Sequence, residues 1–141
     1  RMYDRILVPT DGSKASKNAA RNAIELAEDL GSSIHVLYAM DMGDAAFVAV
    51  PGDIEETRER LETKGRRFTR EIRELAEEAG IDCVTDVRSG IAPEVIVDYA
   101  GEHGIDLIVM GKRGRGDPDK PAIGSITHRV IGSTDATVLT T

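Results

Sequence analysis

The residues best placed to do chemistry are Gly111, Lys112, Arg113 and Gly114, then, after nine residues, Gly124 and Ser125. Glycine has no Cβ, so the backbone there can turn back and approach an anion closely. Gly124-Ser125 then opens a short helical stretch, whose first free N–H groups point at whatever lies beyond the helix start. Residues 111 to 120 hold Lys112, Arg113, Arg115 and Lys120 against Asp117 and Asp119, a basic surplus in a chain of net charge −7. A basic, glycine-rich loop feeding a helix N-terminus is a phosphate cradle in physical terms. The same residue types also suit a solvated connection, and they leave both readings open. Two familiar phosphate motifs fail. Gly111 to Gly116 has the spacing of a P-loop, but Asp117-Pro118 stands where Lys and Ser or Thr are required. No G-x-G-x-x-G follows the first apolar run, so neither P-loop hydrolysis nor nicotinamide chemistry is indicated.

The elements that must position this loop alternate along the chain. Tyr3 to Pro9 is a short, nearly continuous apolar run, as in a buried parallel strand. Thr10-Asp11-Gly12-Ser13 supplies turn and cap chemistry. From Lys14 to Leu30, Ala19, Ala20, Ala23, Ile24, Ala27 and Leu30 recur at helical spacing, and Gly31 ends the run. Ser33 to Met40 reads as strand two, and Asp41 to Asp53 as irregular chain. Ile54 to Ala79 reads as one long helix with Leu61, Phe68, Ile72, Leu75, Ala76 and Ala79 inward and Gly65 weakening its middle. Asp82 to Arg88 is strand three, Ala92 to His103 a helix, and Asp106 to Met110 strand four. Ser125 to about Ile131 is a short helix, and Ala136 to Thr140 strand five. Strands alternating with helices call for an α/β, Rossmann-like three-layer domain: a parallel sheet, covered on both faces, with right-handed crossovers. In such sheets ligands bind beyond the carboxyl ends of the strands, where strand order reverses. In the order 3-2-1-4-5 that point is flanked by Pro9-Thr10-Asp11 and Met110-Gly111.

The 141 residues suit one domain, spanning residues 1–141, with Arg1 read as a cloning remnant ahead of Met2. Aromatics are 4% with no Trp, so aliphatic side chains must fill the core. One cysteine excludes an internal disulfide framework, and no apolar run nears the ~20 residues of a membrane span. The expectation is a cytoplasmic protein that engages no membrane. An acidic chain also lacks the broad basic face of a nucleic-acid binder. Cys83 reads as a packed thiol, and His35, His103 and His128 show no metal-ligand spacing.

At this point the residues carry a resemblance. Gly111, Gly114, Gly124 and Ser125 form G-x2-G-x9-G-[ST], similar to the nucleotide-binding signature of the universal stress protein family. Arg5 to Ser13 (RILVPTDGS), Gly90 with Pro93, and Asp106 to Gly111 (DLIVMG) agree in order and spacing, over nearly the whole chain. The resemblance implies a five-stranded parallel sheet in the order 3-2-1-4-5 and a homodimer formed through the C-terminal strand. The full signature implies the family's ATP-binding branch, with ATP accompanied by Mg²⁺ or Mn²⁺. Carried over position by position, Asp11 meets the ribose or, through the Mg-nucleotide, a metal ion. Pro9 and Thr10 line the same edge, and the Ala39 backbone faces the adenine. Met110, Gly111, Lys112, Arg113, Gly114, Arg115 and Gly116 wrap ribose and phosphates, while Gly124, Ser125 and Ile126 offer N–H groups to phosphate oxygens. Without the resemblance Asp11 reads first as an N-cap, and Ser125 as a cap that can also bind phosphate. One departure stands at the end: Thr137 precedes Val138-Leu139 where family members commonly carry Pro, and Thr140-Thr141 follow.

The leading expectation is an ATP-binding protein of stress response or signalling, acting through nucleotide-dependent conformation or partner contact rather than turnover. The alternatives are a slow ATPase or self-phosphorylating protein, with Ser125 or Ser13 near the γ-phosphate, and a nucleotide-free dimeric adaptor. A phospho-acceptor domain would need an Asp at the end of strand three, where Arg88-Ser89-Gly90 stand.

Overall fold

The computed structural model describes residues 2–42, 51–112 and 124–141. In chain order these form β1 (Arg5–Pro9), α1 (Lys14–Leu30), β2 (Ser33–Met40), α2 (Pro51–Glu78), β3 (Cys83–Ser89), α3 (Ala92–Glu102), β4 (Leu107–Met110), α4 (Ser125–Ser133) and β5 (Thr137–Thr140). The sheet is parallel throughout, in the order β3-β2-β1-β4-β5. Ile6 aligns with Ile34 on one side and with Leu107 on the other. β1 and β4 therefore leave the sheet side by side, one toward α1 and the other toward the glycine-rich loop.

Alternation along the strands divides the core in two. Ile6, Val8, Ile34 and Val36 face α1 and α2, against Ala19, Ala20, Ala23, Ile72 and Ala76. The small alanines let α1 lie close to the sheet. Leu7, Leu37 and Ile108 face α3 and α4, against Val95, Ile96, Tyr99 and Val130. At the amino end of the sheet, the Asp106 carboxylate accepts the Asp4 N–H at 2.9 Å and the Arg5 N–H at 3.1 Å, pinning β1 to the start of β4.

α2 departs from the sequence expectation in three respects. It begins at Pro51 rather than Ile54 and ends at Glu78. Its inner stripe is Gly65, Thr69, Ile72 and Ala76, and Leu75 flanks that stripe at 39% exposure instead of pointing in. Gly65 lies within an unbroken helix, where a Cβ would run into the Tyr38 ring, so glycine lets α2 sit down on β2. β3 forms one edge of the sheet. Its even-numbered residues pair with β2, so the Val87 N–H faces outward, and Asp86 Oδ1 takes it up at 2.8 Å.

Candidate functional site

The β1–α1 turn holds itself by short-range bonds. The Thr10 N–H continues the sheet by donating to the Leu37 carbonyl at 2.9 Å, and its buried hydroxyl lies 3.1 Å from Ser16 Oγ and accepts the Gly12 N–H. The N-cap of α1 is Ser13, whose Oγ accepts the Ser16 N–H at 3.2 Å. Asp11 is not that cap. Its Oδ1 accepts the Ser13 N–H at 2.9 Å, closing the turn one step earlier. Gly12 at φ +80° completes the bend, with the Phe68 ring of α2 lying where a Cβ would go. Arg67 covers Phe68, its guanidinium 5.0 Å from the ring centroid. Pro9 pairs with Leu37, and Ala39 stands two residues further along β2, packed against the α3–α4 core.

Across the switch point, buried Met110 ends β4 and Gly111 follows. A Cβ on Gly111 would stand 2.9 Å from the Ala15 Cβ and 3.0 Å from the Ala15 carbonyl carbon and oxygen. At Gly111 the chain therefore passes directly over the first turn of α1, and glycine is what permits it. Lys112 donates its N–H to the Thr141 carbonyl at 2.9 Å and accepts the Gly124 N–H on its own carbonyl, which closes the neck of the loop. Arg113, Gly114, Arg115 and Gly116 lie outside the described residues.

α4 starts at this neck. Its N-cap is Gly124, not Ser125, and among the described residues no side chain caps it. Ser125 and Ile126 occupy its exposed first turn, and buried Thr127 donates its hydroxyl to the Gly111 carbonyl at 3.1 Å. By helix geometry the N–H groups of Ser125, Ile126 and Thr127 have no acceptor within α4. Gly111 thus touches the N-terminal turns of two helices, of which α1 carries its own side-chain cap and α4 does not. Sequence reasoning missed Ala15 and Thr127, because neither type signals a role until the fold brings it against Gly111.

The comparisons with known proteins agree with this arrangement. The family model of the universal stress protein family matches residues 2–141. The chain belongs to the universal stress protein family. The Methanocaldococcus jannaschii universal stress protein MJ0531 is 31% identical over 138 residues, covering 98% of this chain and 81% of its own. The solved structure of M. jannaschii MJ0577 superposes with a TM-score of 0.89 at 26% identity, over 99% of this chain and 96% of that one. More distant structures of the same fold are a universal stress protein in complex with cAMP (TM-score 0.72, 23% identity, 100% and 98% covered) and an Arabidopsis thaliana member with AMP bound (TM-score 0.70, 17% identity, 96% and 89% covered).

This universal stress protein also assembles a polar cluster between α3 and strands β2 and β3 that linear spacing concealed. His35 Nδ1 lies 2.7 Å from the Tyr99 hydroxyl, and the His103 ring stacks on Tyr99 with centroids 4.0 Å apart. Arg88 lies over the Tyr99 ring at 4.7 Å and bonds Asp86 and Glu102, each at 2.9 Å. His35 and His103 thus meet in one cluster, with ring centroids 5.5 Å apart. Burial pushes the Tyr99 phenol up to about 12, with Asp86 adding to the rise. Burial likewise raises the Cys83 thiol to about 11, which keeps it an unreactive packed group at neutral pH. Among the described residues, no three His, Cys, Asp or Glu side chains group to hold a metal ion.

The cluster makes folding stability depend on pH. Burial, then the neighbouring His103 and Arg5, hold the His35 imidazole below its ordinary value. The unfolded chain takes up this proton near pH ~6.5, before the folded chain does. The contribution of His35 is present in full above that pH and is lost as pH falls through it toward the lower folded value. Urea midpoints should fall between pH 7 and pH 5, and the His35→Gln variant should show a shallower slope over that window. Parallel slopes would exclude His35 as the source.

Proposed function

We propose that this universal stress protein binds ATP at the carboxyl edge of β1 and β4 and acts in the stress response through the conformation or partner contacts that ATP sets. The observation that carries the reading is the uncapped first turn of α4, held against Gly111 beside the Thr10-Asp11 turn. N–H groups without an acceptor inside the helix, and the positive end of its dipole, favour an anion there, without a lysine having to supply the charge. The Ser125 and Ile126 amides and the Ser125 hydroxyl would take phosphate oxygens, and Lys112, with Arg113 and Arg115, would balance their charge. Gly114 and Gly116 would give the backbone freedom beside the ligand, while the Gly124 N–H, expected from the sequence to meet phosphate, is already given to the Lys112 carbonyl, so Gly124 would shape the neck instead. Pro9, Thr10, Met110 and the Ala39 backbone would line the ribose and adenine side. Asp11 would meet the ribose, or a Mg²⁺ or Mn²⁺ ion whose remaining ligands come from the nucleotide. Family members holding cAMP and AMP support the choice of an adenine nucleotide. Bound ATP would supply affinity and shape at this edge; release of phosphate by a slow ATPase is a separate result, read in single turnover.

We further read the protein as cytoplasmic and as a homodimer through its C-terminal strand, engaging neither nucleic acid nor membrane. β5 is an edge strand with Leu139 exposed, and no described helix is long and apolar enough to cross a membrane.

Calorimetric titration of nucleotide-free protein with Mg-ATP, then with AMP and GTP, tests the proposal. ATP should bind with measurable heat, AMP more weakly for want of its outer phosphates, and Gly124→Val should abolish the signal. Gly124 sits at φ −59°, which valine adopts freely, so a folded variant that still binds ATP would overturn the cradle. Absence of heat with the parent protein would put the nucleotide-free adaptor in its place.

A further inference from the structure

A groove of about 400 Å³ runs between α2 and the edge strand β3, two strands away from β1 in the sheet order and apart from the Gly111 neck. Arg66, Arg70 and Arg73 line one wall, at the i, i+4 and i+7 positions of a single helical face. Thr69 and Thr85 line it as well. The two carboxylates in the lining are already engaged. Glu62 bonds Arg66, while Asp86 accepts the Val87 N–H and the Arg88 Nε–H. Arg73 keeps only a long 3.7 Å pair with Glu77 outside the groove. Among the described residues, the Arg70 guanidinium and the Thr85 hydroxyl have no partner.

We infer that this groove is a second anion site, taking a small phosphate-bearing molecule. Its acids are neutralised locally while guanidinium donors remain over, which is the reverse of the chain's overall acidic balance. Guanidinium forks match the oxygens of a phosphate in a paired geometry that a lone ammonium does not offer. A volume near 400 Å³ falls in the range of small-ligand sites, about 300–1,000 Å³. Phosphate is the better occupant than a single carboxylate, since it offers three acceptor oxygens to the Arg70 guanidinium, the loosely paired Arg73 and the Thr85 hydroxyl, where a carboxylate offers two.

The test is a titration of the whole protein with inorganic pyrophosphate, followed by amide ¹H–¹⁵N spectra, with acetate as control. Expected are shifts at Arg70 and Thr85 that persist in Gly124→Val and weaken about tenfold in Arg70→Gln, the loss typical of one charge-assisted bond. Arg70 lies on the helix surface, so its variant should fold, and Arg66→Gln gives an independent reading. Shifts confined to Gly111 and Ser125, or lost in Gly124→Val and kept in Arg70→Gln, would overturn the site. Equal response to acetate would overturn its phosphate class. ATP binding measured in Arg70→Gln reports separately on the nucleotide edge, so the two proposals fail independently.

Discussion

Replacement of Gly12 by alanine should cost about 3 kcal/mol of folding stability, from two separable sources. A non-glycine residue held at φ +80° loses roughly 1–2 kcal/mol to clash within its own backbone. The added methyl also meets the Phe68 ring, and an overfilled site of this kind typically costs about 1–3 kcal/mol. A double-mutant cycle with Phe68→Ala separates them. Removing the ring should recover the packing part and leave the backbone part, so the double variant is more stable than the sum of the single losses implies. Urea denaturation measures all four proteins. Strict additivity would show that the Phe68 ring swings aside at no cost. Because Asp11 and Thr10 belong to the same turn, Gly12→Ala should also weaken ATP, and Phe68→Ala should restore little of that.

The larger loss is expected at Tyr99. The residue is 1% exposed and belongs to the α3–α4 core, so Tyr99→Ala should cost about 3–5 kcal/mol, as for other large aromatic truncations. Tyr99→Phe keeps the volume and removes the oxygen, leaving His35 Nδ1 without its 2.7 Å partner. That orphaned nitrogen should cost about 1–3 kcal/mol. The pair of variants thus divides ring from hydroxyl, with thermal or urea unfolding as the readout. A neutral Tyr99→Phe would mean that water replaces the phenol at His35. Both variants act between α3 and strands β2 and β3, so ATP affinity per folded molecule should be unchanged.

Which parts of this were legible in the residues follows from how local each signal is. β2 was readable from Ser33 to Met40, and α1 from Lys14 to Leu30, because the Ser13 cap and the Gly31 stop (φ +71°) are neighbours of the segments they bound. The start of α2 was not, since Pro51-Gly52 reads as a break although proline is at home in a first helical turn. Leu75 misled because hydrophobicity marks a helix face only to within a residue or so, and here small Gly65 and Thr69 hold the inner stripe. The reason for Gly65 is the Tyr38 ring, 27 positions earlier in the chain, which no local window includes. At the carboxyl edge of β1 and β4, Gly111 and Gly124 stood out in the sequence by type and spacing. Their partners Ala15 and Thr127 are ordinary residues that acquire a role through the crossing of β4 over α1. His35 and His103 meet only because β2 and the end of α3 pack on one face of the sheet.

The bond between Asp86 and the Val87 N–H bears on how copies of the sheet can grow. A parallel sheet ends in two unlike rims, and joining the β3 rim of one molecule to the β5 rim of the next would repeat without limit as a filament. An arriving strand would find the Val87 amide already bonded, and Arg88 clamped between Asp86 and Glu102 beside it. Union through the β5 rim would join like to like and stop at two. One carboxylate, turned back on its own strand, thereby removes a donor that an incoming strand at this rim would need.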